Sequence, residues 1–168
     1  NNNTYRLYKR GWVGINLDLD FNTIDMFNFF RNKDLNVHAA ISEKEEEKDL
    51  YFFHNRSAIN TLSSKTGSNA KEVRKIKTKS LNQIIENSIF KDTKINFVSI
   101  DVEGFELDVL RGFNLNKYKP DLIVVEFIDT KIKEYYFQNI ENILNSNIYK
   151  YMEKHDYKLI NWIHDDLV

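Results

Sequence analysis

The sequence contains no cysteine, and this absence excludes several kinds of site at once. A disulfide framework, a thiolate metal site and a cysteine nucleophile all require that residue. The four histidines are too far apart along the chain to suggest a zinc motif. No metal site is therefore predicted.

Long apolar runs and an excess of one charge are also lacking. No run approaches the ~20 residues of a membrane span, and no signal-peptide pattern opens the chain. The 24 basic and 25 acidic residues nearly cancel, so nothing draws the domain as a whole toward nucleic acid or an anionic membrane. We expect a cytoplasmic protein with neither as a partner.

The length of the chain predicts one domain over residues 1–168. A chain of 168 residues that is 42% hydrophobic can bury one core of ordinary size, and no repeat or low-complexity linker divides it. Residue 1 is asparagine, and the last residues, 165–168, are typical of a strand that is just beginning. We expect the chain to be a fragment.

Short apolar runs alternate with stretches of helical spacing. The runs at 13–17, 95–100 and 122–125 predict buried strands, whereas Phe21, Ile24, Phe27 and Phe30 recur as one face of a helix does. Strands without a polar face imply helices on both sides. The predicted fold is therefore an α/β, doubly wound, mostly parallel sheet.

Three local patterns lie between residues 54 and 83. Ser80 with Gln83 predicts a capping box at the start of a helix. Val73 and Ile76, among lysines, predict an edge strand whose charges deter pairing with other chains. The irregular segment 54–72 predicts a long loop, and loops of that length are often functional; it is a candidate lid or part of an acceptor site.

Polar side chains follow most of the predicted strands. In open parallel sheets, ligands bind beyond the carboxyl ends of the strands, so these side chains are expected to face one crevice. They are Asp18, Asp20, Ser42, Asp101, Glu103, Glu126 and Asp129.

Asp18 has two interpretations. A carboxylate at a strand end can accept hydrogen bonds from both hydroxyls of a ribose. Either Asp18 or Asp20 can instead cap the helix that begins near Phe21. The sequence leaves both interpretations open.

The turn at Asp101-Val102-Glu103-Gly104 also has two interpretations. Acids one residue apart in an extended stretch project to the same side, so one could orient a ligand while the other acts as a general base. Alternatively, both stabilise the N-terminus of the helix that begins near Phe105. Glu126 raises the same question, although no predicted helix follows it at once.

The residues around this turn resemble a known family. IDVEGFELDVLRG at 100–112 closely resembles the signature of FkbM-type methyltransferases, and PDLIVVE at 120–126 is similar to that family's next strand. GWVGINLD at 11–18, AAIS at 39–42 and the helical stretch 3–12 are weaker parts of the same resemblance. Together these segments span most of the chain.

The resemblance implies a Rossmann-like, class I methyltransferase that uses S-adenosylmethionine. Its acceptor would be a small molecule or glycan, methylated on a hydroxyl of a sugar or natural product. The implied cofactor-binding residues are Asp18, Leu19, Ala40, Ile41, Ser42 and Asp101, with Asp18 on the ribose and 40–42 near the adenine. The implied catalytic residues are Asp101, Glu103 and Glu126.

The chain departs from this family in one important respect. The family's first strand and its glycine-containing loop are expected before Asn1, so the fold is predicted to be N-terminally incomplete, with unpaired strand edges. A non-catalytic Rossmann-like binding module that has lost the cofactor loop is therefore an alternative. A different nucleotide-binding enzyme with a similar acidic turn is a third.

Overall fold

The fold was analysed in a computed structural model of the chain. The structure describes residues 3–54, 60–62, 64, 66–127, 140–163 and 166–168. Asp129 and part of the segment 54–72 lie outside these residues. The helices are α1 Tyr5–Lys9, α2 Phe21–Phe30, α3 Leu81–Glu86, α4 Glu106–Arg111, α5 Leu115–Tyr118, α6 Ile140–Asn145 and α7 Asn147–Lys154, with a 3-10 turn at Thr66–Asn69. None of the helices described is long and apolar enough to cross a membrane.

The strands form small sheets in which parallel and antiparallel pairs are mixed. Their bounds are β1 Ile15–Asp18, β2 Leu35–His38, β3 Ala40–Ile41, β4 Glu47–Phe52, β5 Glu72–Lys79, β6 Phe97–Ile100, β7 Leu122–Glu126, β8 Trp162–Ile163 and β9 Asp166–Leu167. The sheet orders are β1-β2, β3-β5-β4 and β6-β7-β9-β8. The pairs β1–β2, β3–β5 and β6–β7 are parallel, and β4–β5, β7–β9 and β8–β9 are antiparallel.

This arrangement confirms an α/β fold but differs from the predicted single, mostly parallel sheet. Three antiparallel pairs make the difference. Only two residues separate β8 from β9, and that separation is too short for a parallel pair, which needs a long crossover. β1 has β2 as its only strand partner among the described residues, and β6 has only β7. Each of these strands thus keeps one edge without a strand partner in the part of the chain described.

The main core lies where α3 and α4 pack on the strands. It includes Ile85, Ile100, Leu110, Phe113 and Val125, and Leu110 is completely buried. The capping box at α3 is confirmed: Ser80 Oγ accepts from the Gln83 backbone N–H, and Gln83 Oε1 accepts from the Ser80 backbone N–H. The strand after Pro120 is also confirmed, as β7.

One local prediction is confirmed in part and another needs correction. The strand at Val73 and Ile76 exists as β5, the middle strand of its sheet. β3 pairs with it only at Thr78 and Lys79, so Val73 and Ile76 have β4 as their only strand partner among the described residues. The helix at 21–30 exists as α2, but its predicted inner face is only partly covered: Ile24 is buried while Phe30 is exposed. The apolar periodicity predicted the helix correctly. It did not reveal how little of the predicted inner face of α2 is covered by other residues.

Candidate functional site

A large cavity lies between β1 and β6 and along the residues that follow them. Its volume is about 890 Å³, and its wall includes the continuous segments 13–20 and 93–103. Ile84, Ile85 and Val109 form part of its apolar lining, and Asn60 and Leu62 contribute from the loop that follows β4. The carboxyl ends of β1 and β6 therefore face the same space, as the sequence predicted.

Asp18 lies at this wall, and a different residue caps α2. Asp20 is the N-cap: its carboxylate accepts from the backbone N–H groups of Asn22 and Thr23. Asp18 Oδ1 accepts from the backbone N–H of Asp20 at 2.7 Å. Burial raises the pKa of Asp18, and the nearby Asp20 carboxylate adds to the rise, although the backbone hydrogen bonds oppose it. Since Asp20 provides the cap, Asp18 is left with a carboxylate that faces the cavity.

The acidic turn after β6 has an uncommon backbone. Glu103 has φ 55° and Gly104 has φ 95°, so two successive residues are in the left-handed region that favours glycine. The N-cap of α4 is Phe105, and it makes no side-chain capping bond. Asp101 and Glu103, which precede the cap residue, both line the cavity.

Glu126, at the end of β7, joins these acids. One carboxylate oxygen from each of Asp101, Glu103 and Glu126 lies within 4.8 Å of the others, so the three groups could hold one cation. Glu126 Oε2 is buried and has no hydrogen-bond partner among the described residues. The parallel pairing of Ile100 with Val125 explains the convergence, because it brings the carboxyl ends of β6 and β7 side by side.

Burial and neighbouring charges raise the pKa values of Glu103 and Glu126. Burial, followed by the charges of Asp101, Glu103 and Glu106, raises the pKa of Glu126 to about 8. Burial and the charges of Asp101 and Glu106 also raise the pKa of Glu103. A carboxyl group that titrates near neutral pH can exchange a proton with a reacting group.

The other predicted cofactor residues are divided between the wall and the interior. Leu19 and Ile41 line the cavity. Ala40 and Ser42 are buried outside the wall, and Gly112 packs so closely that a Cβ placed on it would lie 2.4 Å from the Ser42 carbonyl oxygen. The placement of 40–42 near an adenine stays a prediction.

Sequence reasoning missed two residues that support the turn. Glu106 is buried at 4% exposure, and Oε1 accepts from the backbone N–H groups of Val102 at 3.2 Å and Gly104 at 2.9 Å. Thr61, also buried, donates from Oγ1 to the carbonyl oxygen of Glu103 at 2.8 Å. The short spacing from Gly104 to Glu106 was a local signal for the bond from Glu106 to the turn. Thr61 is 42 residues from its partner Glu103, so no local pattern indicated that bond.

Comparison with known proteins agrees with this geometry. A family model described as the methyltransferase FkbM domain matches residues 1–159. Searches of curated proteins and of solved structures returned no match. The matched segment contains β1, the acidic turn and β7, which are the elements that form the cavity wall and the carboxylate cluster. The chain therefore belongs to the FkbM methyltransferase domain family.

Proposed function

We propose that the protein is an S-adenosylmethionine-dependent methyltransferase that methylates a hydroxyl group of a sugar or natural product. The observation that supports this most directly is the convergence of Asp101, Glu103 and Glu126 beside the cavity, in a chain that belongs to a methyltransferase family. A hydroxyl acceptor must lose a proton when it is methylated, and this cluster supplies carboxyl groups that can receive it.

The residues at the wall fit the proposed cofactor. The part of the wall that follows β1 and β6 combines acids with apolar side chains. Asp18 offers a carboxylate for the ribose hydroxyls, and Asp101 offers one for the methionine ammonium group. Leu19 and Ile41 offer apolar contacts. S-adenosylmethionine supplies an electrophilic methyl group on a sulfonium centre when bound.

The protein's own contribution is to position the acceptor and to receive its proton. The wall holds the acceptor in line with the methyl group, which removes much of the entropic part of the barrier. The acceptor oxygen would form a new bond to the methyl carbon as the carbon–sulfur bond breaks and its electron pair stays on the sulfur of S-adenosylhomocysteine. The acceptor's proton would pass to a carboxylate. Glu126 and Glu103 are the proposed proton acceptors, because their raised pKa values make them stronger bases than an ordinary carboxylate.

We propose that an extended apolar strand lies between β1 and β6 in the active form and completes a doubly wound sheet. Each of these strands has one edge without a strand partner among the described residues, and residues of both line the same cavity. Asn3 Nδ2 donates to Ser99 Oγ on β6 at 3.1 Å. A strand joined ahead of Asn3 can therefore enter beside β6.

The test compares the chain with a form that carries a grafted strand of about six valine and isoleucine residues, joined to Asn1 through a glycine-rich turn. Thermal unfolding is followed with S-adenosylhomocysteine and separately with NAD. We expect S-adenosylhomocysteine to raise the Tm of the grafted form in proportion to the logarithm of the ligand concentration. NAD should leave the Tm unchanged. A graft in which alternate residues are proline is the control, because proline cannot donate to the sheet.

The alternative function is a non-catalytic binding module. The observation that favours it is that β1 and β6 each have one edge without a strand partner in the described part of the chain. The same experiment separates the two. If S-adenosylhomocysteine raises the Tm of neither the chain nor the grafted form, the binding module is favoured. Stabilisation by NAD alone would favour a different nucleotide-binding enzyme.

A further inference from the structure

The turn that carries Asp101 and Glu103 cannot rely on its own backbone preferences. A non-glycine residue in the left-handed region is strained, because its Cβ lies too close to the following carbonyl oxygen. Glu103 adopts this region at φ 55°, directly before Gly104 at φ 95°. Such a conformation persists only where the surrounding structure holds it. The groups that hold this turn therefore determine where its carboxylates lie.

One buried side chain spans the turn from the inside. Glu106 is the first residue of α4 and is 4% exposed. Its Oε1 accepts from backbone N–H groups on both sides of Glu103, those of Val102 and Gly104. A single oxygen atom thus holds the amides of the residues directly before and after the left-handed residue.

A second side chain holds the turn from the opposite direction. Thr61 is fully buried, and its backbone N–H and C=O both form hydrogen bonds with Tyr51 of β4. Its hydroxyl donates to the carbonyl oxygen of Glu103. The turn is therefore attached to the neighbouring sheet through Thr61 and to α4 through Glu106.

We propose that Glu106 is the positioning residue of the site: by holding the Val102 and Gly104 amides, it sets the backbone that directs Asp101 and Glu103 into the cavity. The consequence for ligand affinity rests on the proposed function, whereas the holding of the turn does not. Glu106 acts through the turn and is not expected to touch a ligand.

The test compares E106Q with E106M. Glutamine keeps the accepting oxygen and has almost the same shape, whereas methionine has a similar volume without the acceptor. Asp108→Asn is the matched control, because it removes a carboxylate from the same helix at a partly exposed position. The first measurement is amide hydrogen exchange at Val102 and Gly104, and the second is the Kd for S-adenosylhomocysteine in the strand-grafted form.

We expect E106M to exchange the Gly104 amide at least about tenfold faster than the wild type, as loss of a hydrogen bond worth about 1.5 kcal/mol predicts. Its Kd should rise by a similar factor, while E106Q and D108N stay within about threefold. Wild-type protection of both amides in E106M would overturn the proposal, as would equal defects in E106Q and E106M. If the strand-grafted wild-type protein binds no S-adenosylhomocysteine, the proposed function is refuted. Amide hydrogen exchange at Val102 and Gly104 would still decide the role of Glu106.

A further variant covers the possibility that E106M does not fold. E106D keeps the charge but is one methylene shorter, so its oxygen reaches fewer of the amides that Glu106 holds. We expect faster exchange at Val102 or Gly104 in E106D than in E106Q. The reverse order would contradict the assignment.

Discussion

The raised pKa of Glu126 makes the stability of the protein depend on pH. Replacing Glu126 by glutamine should remove the part of this pH dependence that is due to Glu126. Burial and the neighbouring carboxylates raise the pKa of this group from 4.5 to about 8 in the folded protein. The folded state then holds a proton that the unfolded state releases. Its contribution to stability is complete below pH 4.5 and is lost as the pH rises toward and through 8.

The size of this loss follows from the shift and from the position of the carboxyl group. A rise from 4.5 to about 8 corresponds to about 5 kcal/mol at about 1.4 kcal/mol per pKa unit. Glu126 is only partly buried, and screening by solvent reduces the expected change to about 2 kcal/mol. E126Q, which stays neutral, should be more stable than the wild type by about this amount at pH 9 and nearly equal to it at pH 4.5.

The assay is urea unfolding of the wild type and E126Q at several pH values from 4.5 to 9, with a chelator present. Asp18, Glu103 and Glu106 also have raised pKa values and act in the same direction, so the difference between the two proteins isolates Glu126. Glu153→Gln removes a carboxylate from an exposed position of α7 and serves as the control. If the difference between E126Q and the wild type does not change with pH, the reasoning about this cluster is refuted.

Three further predictions concern the core, the start of α3 and the ribose site. Leu110→Ala should lower the free energy of unfolding by about 3 kcal/mol, because Leu110 is completely buried; a loss no greater than that of the exposed Leu144→Ala in urea unfolding would contradict this. Ser80→Ala should cost about 1 kcal/mol by removing half of a capping box, and an unchanged urea midpoint would argue against that cap. Asp18→Asn should weaken S-adenosylhomocysteine binding by about tenfold or more in calorimetry, whereas Asp20→Asn should mainly destabilise α2; equal effects on affinity would contradict the separate roles of the two acids.

The sequence predicted the chemistry at the strand ends better than the connections between strands. Apolar runs that end in acids placed Asp18, Asp101 and Glu126 correctly at the carboxyl ends of β1, β6 and β7, because parallel strands must end at a common edge. The edge predicted at Val73 and Ile76 is correct for those residues in the part of the chain described, but not for the whole of β5. Its last residues, Thr78 and Lys79, pair with β3, and lysines on a strand face do not reveal where along the strand a second partner begins.

The supporting contacts could be predicted only in part. The helix after the acidic turn was clear from its apolar spacing, but the left-handed backbone at Glu103 was not, because that position favours glycine and glutamate occupies it. The bond from Thr61 to Glu103 joins residues 42 positions apart, and a contact of this range leaves no local pattern. The bond from Glu106 to Gly104 is local, yet an acid in the first turn of a helix is more often explained by the helix dipole.

The central claim is that the wall formed by β1, the acidic turn and Ile41 binds S-adenosylmethionine. The most direct measurement is a titration of the isotope-labelled, strand-grafted protein with S-adenosylhomocysteine, followed by amide chemical shifts. The account predicts saturable shifts at Asp18, Leu19 and the turn 101–104, and their loss in D18N. An absence of shifts, or shifts confined to residues outside the cavity, would contradict it.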